Sequence, residues 1–234
     1  MGAMSLIDME DEVRFTVGGF GAGADQLTPA RVDLWLRWAL LHVGRPAVYP
    51  HRELMTSGTF VLAADVPSYA FSGFGTSTDN VQAIRRVYNE SKGHRLTPMS
   101  HRQYLEASRT GGGTIVTGQP QQYAPDGGSL FIYPAPTATF SGNTVRVFFY
   151  RKPIALAAAP AIELAEDWDE VVVAGAVWRG FRALGVPERA ELAKLEFGQL
   201  INEVYDRLAI EHIEDHDGRS FEVEILDHQE VTSR

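Results

Sequence analysis

The chain has 234 residues, 44% hydrophobic and 22% charged, enough for one large or two small domains with a real core. A formal net charge of −9 argues against a dedicated nucleic-acid binder, which needs a cationic surface. The absence of cysteine removes disulfides, thiolate nucleophiles, zinc–thiolate sites and iron–sulfur clusters together, and fits maturation in a reducing cytoplasm.

No apolar run approaches the roughly 20 residues needed to span a bilayer. The acidic start (Asp8, Glu10, Asp11, Glu12) is unlike a secretory signal. Residues 1–27 are expected to be a flexible arm. The glycine-rich VGGFGAGAD at 17–25 is a poor nucleotide-binding turn, because Gly19-x-Gly21 meets Ala24 where the third glycine belongs.

Thr28-Pro29 reads as a helix start, with Thr as N-cap and Pro at the first helical position. The helix is expected to reach about Val43, with Val32, Trp35, Leu36, Ala39, Leu40 and Val43 on one apolar face. Trp38 lies off that stripe and is expected to pack on another domain or subunit.

Between 59 and 151 the pattern changes to short strands at 59–64, 81–88, 114–117, 121–124, 130–133 and 143–150, separated by Gly and Pro clusters. A capping box, Ser100 with Gln103, heads a short helix at 101–108. Asp126-Gly127-Gly128 is strong hairpin chemistry. The strand after it is apolar on both faces through Leu130, Phe131, Ile132 and Tyr133, and Pro134 and Pro136 stop it. It is expected to be buried on one side by its own core and on the other by a neighbouring subunit.

Helical periodicity returns from Trp168. One helix carries Val172, Ala176, Phe181 and Leu184. A second opens at Pro187, its buried side assigned to Ala190, Leu192, Leu195, Leu200, Ile201, Val204, Leu208 and Ile213. The short link makes them an antiparallel pair. The fold class is therefore α+β: a small helical bundle built from both chain ends (28–55 and 152–213), a β-rich barrel or sandwich middle (56–151), and a C-terminal arm (214–234).

The catalytic inventory is empty: no nucleophile elbow is present, and Ser100 is explained as a cap. His212 and His216 are four apart on one helical face, yet lack the glutamate of a His-Glu-x-x-His site, and a solvated acidic helix end is the favoured reading. Asp215-His216-Asp217-Gly218 lacks the closing ligands of a calcium loop. The pairs Glu166/Asp167 and Asp169/Glu170 are read as acids at the positive end of a helix dipole. No metal or cofactor is expected.

Charge is unevenly distributed. From residue 188 to 234 there are 13 acids against 5 bases, whereas Arg85, Arg86, Arg95, Arg102, Arg109, Arg151 and Lys152 collect in the middle. Head-to-tail packing of one subunit on the next would use that polarity.

The ordered set of motifs is similar to that of the head-to-tail adaptor (connector) proteins of tailed bacteriophages. The opening helix leads into TFVLAADVPSYAF. VQAIRRVYNESKGHRLTPMSHRQYLEAS carries Arg-Leu-x-Pro-x-Ser and a short helix. GQPQQYAPDGGSLFIYPAPTATFSGNTVRVFFYRKPIAL ends in Tyr-Arg-Lys-Pro, and the helical hairpin has Leu-Gly-x-Pro-Glu-Arg-Ala at its link.

The resemblance, over roughly residues 28–213, implies a non-enzymatic virion protein of the neck, assembled in the host cytoplasm. Its partners would be the portal protein, a tail, nozzle or stopper protein, and copies of itself, in a commonly twelve-fold ring that passes double-stranded DNA without specific binding. The isolated chain would then be monomeric until it meets its portal. By this analogy SFEVEILDHQEV, with Phe221, Val223 and Ile225 alternating, is a portal-docking arm.

A channel that must release DNA should carry acid, so Glu196, Glu203 and Asp206 are expected near the lumen or a basic neighbour. Trp38, Arg85, Arg86, Phe131, Tyr133 and Arg151 are the inter-subunit candidates. Two rival readings are a stopper or tail-completion protein, and a stand-alone β-sandwich carbohydrate-binding module stacking sugars on Tyr123, Phe131 and Tyr133.

Overall fold

The structure, a computed structural model, describes residues 4–19, 24–74, 81–108, 115–153 and 164–214. Among these lie five α-helices: α1 (Leu6–Gly18), α2 (Pro29–Val43), α3 (His101–Ser108), α4 (Asp169–Ala183) and α5 (Pro187–Glu214). With the sheet described below they make the mixed α+β fold expected from the sequence.

Helix α1 overturns the flexible arm assigned to 1–27. Ser5 and Asp8 form a reciprocal capping box: the Asp8 amide donates to Ser5 Oγ at 3.3 Å, and the Ser5 amide donates to the Asp8 carboxylate at 3.2 Å. Met9, Val13 and Val17 then recur every four residues and are buried against α2 and α4. In α2 the predicted apolar face is the buried one at all six positions, and Pro29 opens the helix. Thr28 is extended as an N-cap should be but makes no side-chain capping bond.

Helix α4 packs against α1, α2 and α5. Trp168, ahead of it, is fully buried, with its ring 5.1 Å from Tyr49 and 4.8 Å from His51. On α5 the buried residues are Ala190, Ala193, Phe197 and Val204, while Leu192 and Leu195 are 58% and 64% exposed. The sequence reading placed those two leucines inside. The buried row instead follows spacings of three and four through Ala190, Ala193 and Phe197, which turns the two leucines to the opposite side of the helix.

The middle of the chain forms a seven-stranded sheet in the order β1-β9-β3-β4-β6-β7-β2. Its members are β1 (Met55–Val61), β2 (Ser68–Ala70), β3 (Val81–Asn89), β4 (His94–Pro98), β6 (Gln122–Asp126), β7 (Ser129–Tyr133) and β9 (Thr144–Arg151). Strands β5 (Thr117–Gly118) and β8 (Ala135–Pro136) pair separately, in parallel. All sheet pairs are antiparallel except β4 with β6.

The sheet curls into a half-barrel, bringing the Phe60 ring of edge strand β1 to 4.5 Å from the Tyr69 ring of the other edge strand, β2, in a tilted contact. The 3-10 turn Phe71–Phe74 lies under β1, where Gly58 admits the Phe74 backbone because it has no Cβ. Val87, Leu96, Tyr123, Leu130, Ile132, Val145, Val147 and Phe149 fill the interior.

Residues 127 and 128 form the predicted tight turn, both glycines at positive φ (54° and 81°), joining β6 to β7. Strand β4 is not among the expected strands, and β2 lies in the strand-like TFVLAADVPSYAF stretch beyond the expected 59–64 strand. Strand β2 is three residues long, and β4, HRLTP, buries only Leu96.

Candidate assembly interface

Two surfaces stand out. The first is the solvent side of α5. At 3.6 residues per turn, Glu188, Leu192, Leu195, Glu196, Gln199, Glu203 and Asp206 share one face spanning about 100° of the circumference. All seven are exposed, and the face carries four acids and no base. Two bases, Arg189 and Arg207, are exposed at its edge, about 20° beyond Glu196, and Arg207 is bound to Asp167 of the neighbouring 3-10 turn at 2.7 Å.

The second is the outer face of the sheet. Residues opposite one another across a strand pair share a face, which places Thr59, Arg146, Tyr88 and Arg95 in one outward row over β1, β9, β3 and β4. Ser57, Phe148 and Arg86 make the next row. The Arg86 guanidinium lies over the Phe148 ring, 4.4 Å from its centroid.

Arg85 would ordinarily face inward. A bulge between Ile84 and Arg86 makes it the extra residue of the strand, so both arginines are exposed, and Arg85 Nη1 donates to Met55 Sδ at 2.8 Å. Glu90 is the acid beside this face and pairs with Arg146 at 2.6 Å. The result is four arginines interleaved with two aromatic rings. Arg85 and Arg86 are a pair visible in the sequence. Their common exposure and their grouping with Tyr88, Arg95, Arg146 and Phe148 are not, because bulge and register are tertiary properties.

The other candidate residues have partners within the chain. Trp38 stacks on His42 at 5.2 Å, meets Trp178 of α4 edge-on at 5.2 Å, and carries Arg179 over its ring. The outer side of β7 is covered by α3: Phe131 lies 5.0 Å from His101 and 5.1 Å from Tyr104 between ring centroids, and Tyr133 is 6.5 Å from Tyr104. The Ser100–Gln103 capping box holds α3 at its start, the Ser100 amide donating to Gln103 Oε1 at 2.9 Å. Arg151 closes β9, its guanidinium reaching the Lys152 carbonyl at 3.4 Å.

Tyr123 points into the barrel at 3% exposure, so the sugar-stacking platform of Tyr123, Phe131 and Tyr133 does not form. Phe221, Val223, Ile225 and His216 lie outside the described residues.

In the helical core, burial shifts three titratable groups. His51 is fully buried. Its Nε2 donates to the Val43 carbonyl at 3.1 Å, while desolvation holds its pKa below the usual imidazole value, opposed by that bond and by Glu53. Desolvation, aided by Arg45, also lowers His42.

Asp169 was read as a dipole acid. It stands in the first turn of α4, but its Oδ2 accepts the Met4 amide and its buried Oδ1 has no partner among the described residues. Burial raises its pKa, opposed by the Met4 bond and aided by Glu166 and Glu170. These three groups serve the helical core and are not gathered around a common cavity. Among the described residues no group of three His, Cys, Asp or Glu side chains could hold a metal ion, and no helix is long and apolar enough to cross a membrane.

Broad charged and aromatic faces carried on rigid elements are what a protein built for assembly presents. A model of the SU10 adaptor protein family matches residues 4–219, and the chain belongs to that family. It is therefore a structural adaptor protein of a bacteriophage virion, as the ordered motifs implied, and its family is not an enzyme class. No curated protein matches the chain.

Proposed function

We propose that the protein is a head-to-tail adaptor that docks as a ring, twelve-fold in the virion, beneath the portal of the DNA-filled capsid. It extends the DNA channel and joins the capsid to the tail, acting in the neck by assembly after synthesis in the host cytoplasm. The family match carries this reading, because it runs through both the helical core and the barrel. The exposure of Glu196, Glu203 and Asp206 supports a role near the lumen or against a basic neighbour, since a cationic bore would retain phosphates.

Residues 220–231, with Phe221, Val223 and Ile225, form the portal-docking arm in this proposal. Of the inter-subunit candidates, Arg85 and Arg86 are the best supported. Trp38, Phe131 and Tyr133 already spend much of their surface on neighbours in the chain.

Electron microscopy of the full chain mixed with its portal protein, and of purified virions, tests the reading. A twelve-fold ring between portal and tail is expected. A ring placed below a different adaptor would identify a stopper instead, and absence from the virion would end the proposal.

A further inference from the structure

We infer that the exposed face of α5 in one copy docks on the outer face of β1, β9, β3 and β4 in the next copy. This inference rests on the ring assembly proposed above and names the two surfaces that meet. Charge is the first observation. Residues 55–153 hold nine Lys and Arg against five Asp and Glu, whereas the α5 face holds Glu188, Glu196, Glu203 and Asp206, with Arg189 and Arg207 only at its edge.

Apolar pattern is the second. Leu192 and Leu195, 58% and 64% exposed, sit between Glu188 and Glu196, just as Phe148 and Tyr88 sit among Arg86, Arg95 and Arg146. Dimensions agree as well. Successive side chains on a helix face are about 5–6 Å apart, and strands are about 4.8 Å apart, so a helix crossing the strands offers one side chain to each. The two surfaces are different patches of one chain, so the contact is heterologous, the type that closes into a ring when its rotation permits.

Leucines over rings would exclude water from the centre, with acid–arginine pairs at the rim directing the approach. The bulge at Arg85 acquires a purpose here, because it adds a second adjacent guanidinium to the outer face.

The absence of cysteine makes a cross-linking test unambiguous. Full-length Leu195→Cys and mass-tagged Tyr88→Cys chains are mixed at high concentration and low salt and treated with a short bis-maleimide. The proposal requires the chain itself to associate weakly in this way. Heterodimer yield is expected at least about tenfold above that of a Leu34→Cys control on α2, corresponding to about 1.4 kcal/mol.

The yield should fall as added salt shortens the Debye length. It should also fall on combining Arg86→Glu with Arg95→Glu, and return when Glu188→Arg and Glu196→Arg are placed on the partner chain. A yield equal to the control, or one indifferent to the arginine reversals, overturns the pairing. Micrographs showing rings alongside that negative result would leave the adaptor reading standing and this interface wrong. Specific cross-linking with no ring on portal would do the reverse.

Discussion

The Met4 amide donates to Asp169 Oδ2 at 2.6 Å, joining two residues 165 positions apart and fastening the start of α1 to the start of α4. The bond has a cost. Asp169 is almost fully buried and its second oxygen has no partner among the described residues, so the ionised form is disfavoured in the folded state. A carboxyl whose folded pKa is raised contributes stability that is present at low pH and lost as pH rises through the folded value. Asp169→Asn keeps an acceptor for Met4 and removes the ionisation. Its stability relative to the native chain should therefore improve from about pH 4 to about pH 7, read from urea midpoints. A difference constant across that range would refute the assignment.

His51 has the opposite sign. Its folded pKa is depressed, so its contribution is present above the unfolded imidazole value and lost as pH falls toward and through the folded value. The His51 ring should remain neutral in a nuclear magnetic resonance titration well below about pH 6.5, and the chain should lose stability over that interval. His51→Gln, which keeps a donor for the Val43 carbonyl, should flatten that part of the profile.

The close approach of the Phe71–Phe74 turn to β1 depends on Gly58. A Cβ there would overlap the Phe74 carbonyl and approach Phe74 Cβ to 2.8 Å, so the 3-10 turn must shift or β1 must bend. Gly58→Ala is expected to cost about 1–3 kcal/mol by overpacking. Thermal unfolding should show it, with a larger loss for Gly58→Val.

The two sides of α5 should respond very differently to substitution. Phe197, 4% exposed and packed near Trp178 and His42, should cost about 3–5 kcal/mol on replacement by Ala. Leu192→Ser and Leu195→Ser should each change the stability of the isolated chain by no more than about 0.5 kcal/mol, as exposed positions do. Larger losses at the leucines would restore the sequence-based assignment of the buried side.

Much of the fold was legible because local rules acted without competition. The apolar row of α2 is uninterrupted, Ser100 and Gln103 sit at capping-box spacing, and two glycines after Asp126 admit little but a tight turn. Helix α1 was hidden because its apolar residues fall on both sides. Ile7 and Phe15 are 70% and 80% exposed while Met9, Val13 and Val17 are buried, so no single stripe stands out. The outer side of β7 was read as a subunit contact, yet α3, held by its own cap, supplies most of its cover.

By itself the sequence determined the class of fold, the tight turn after Asp126, the segregation of charge and the order of motifs that identifies an adaptor. These depend on residue type and spacing, which act over a few positions. Only the tertiary structure decided that leucines 192 and 195 lie outside while alanines 190 and 193 lie inside, and that Arg85 and Arg86 share a face. Helix rotation and strand register are set by how whole elements pack against each other, and local spacing does not encode that choice.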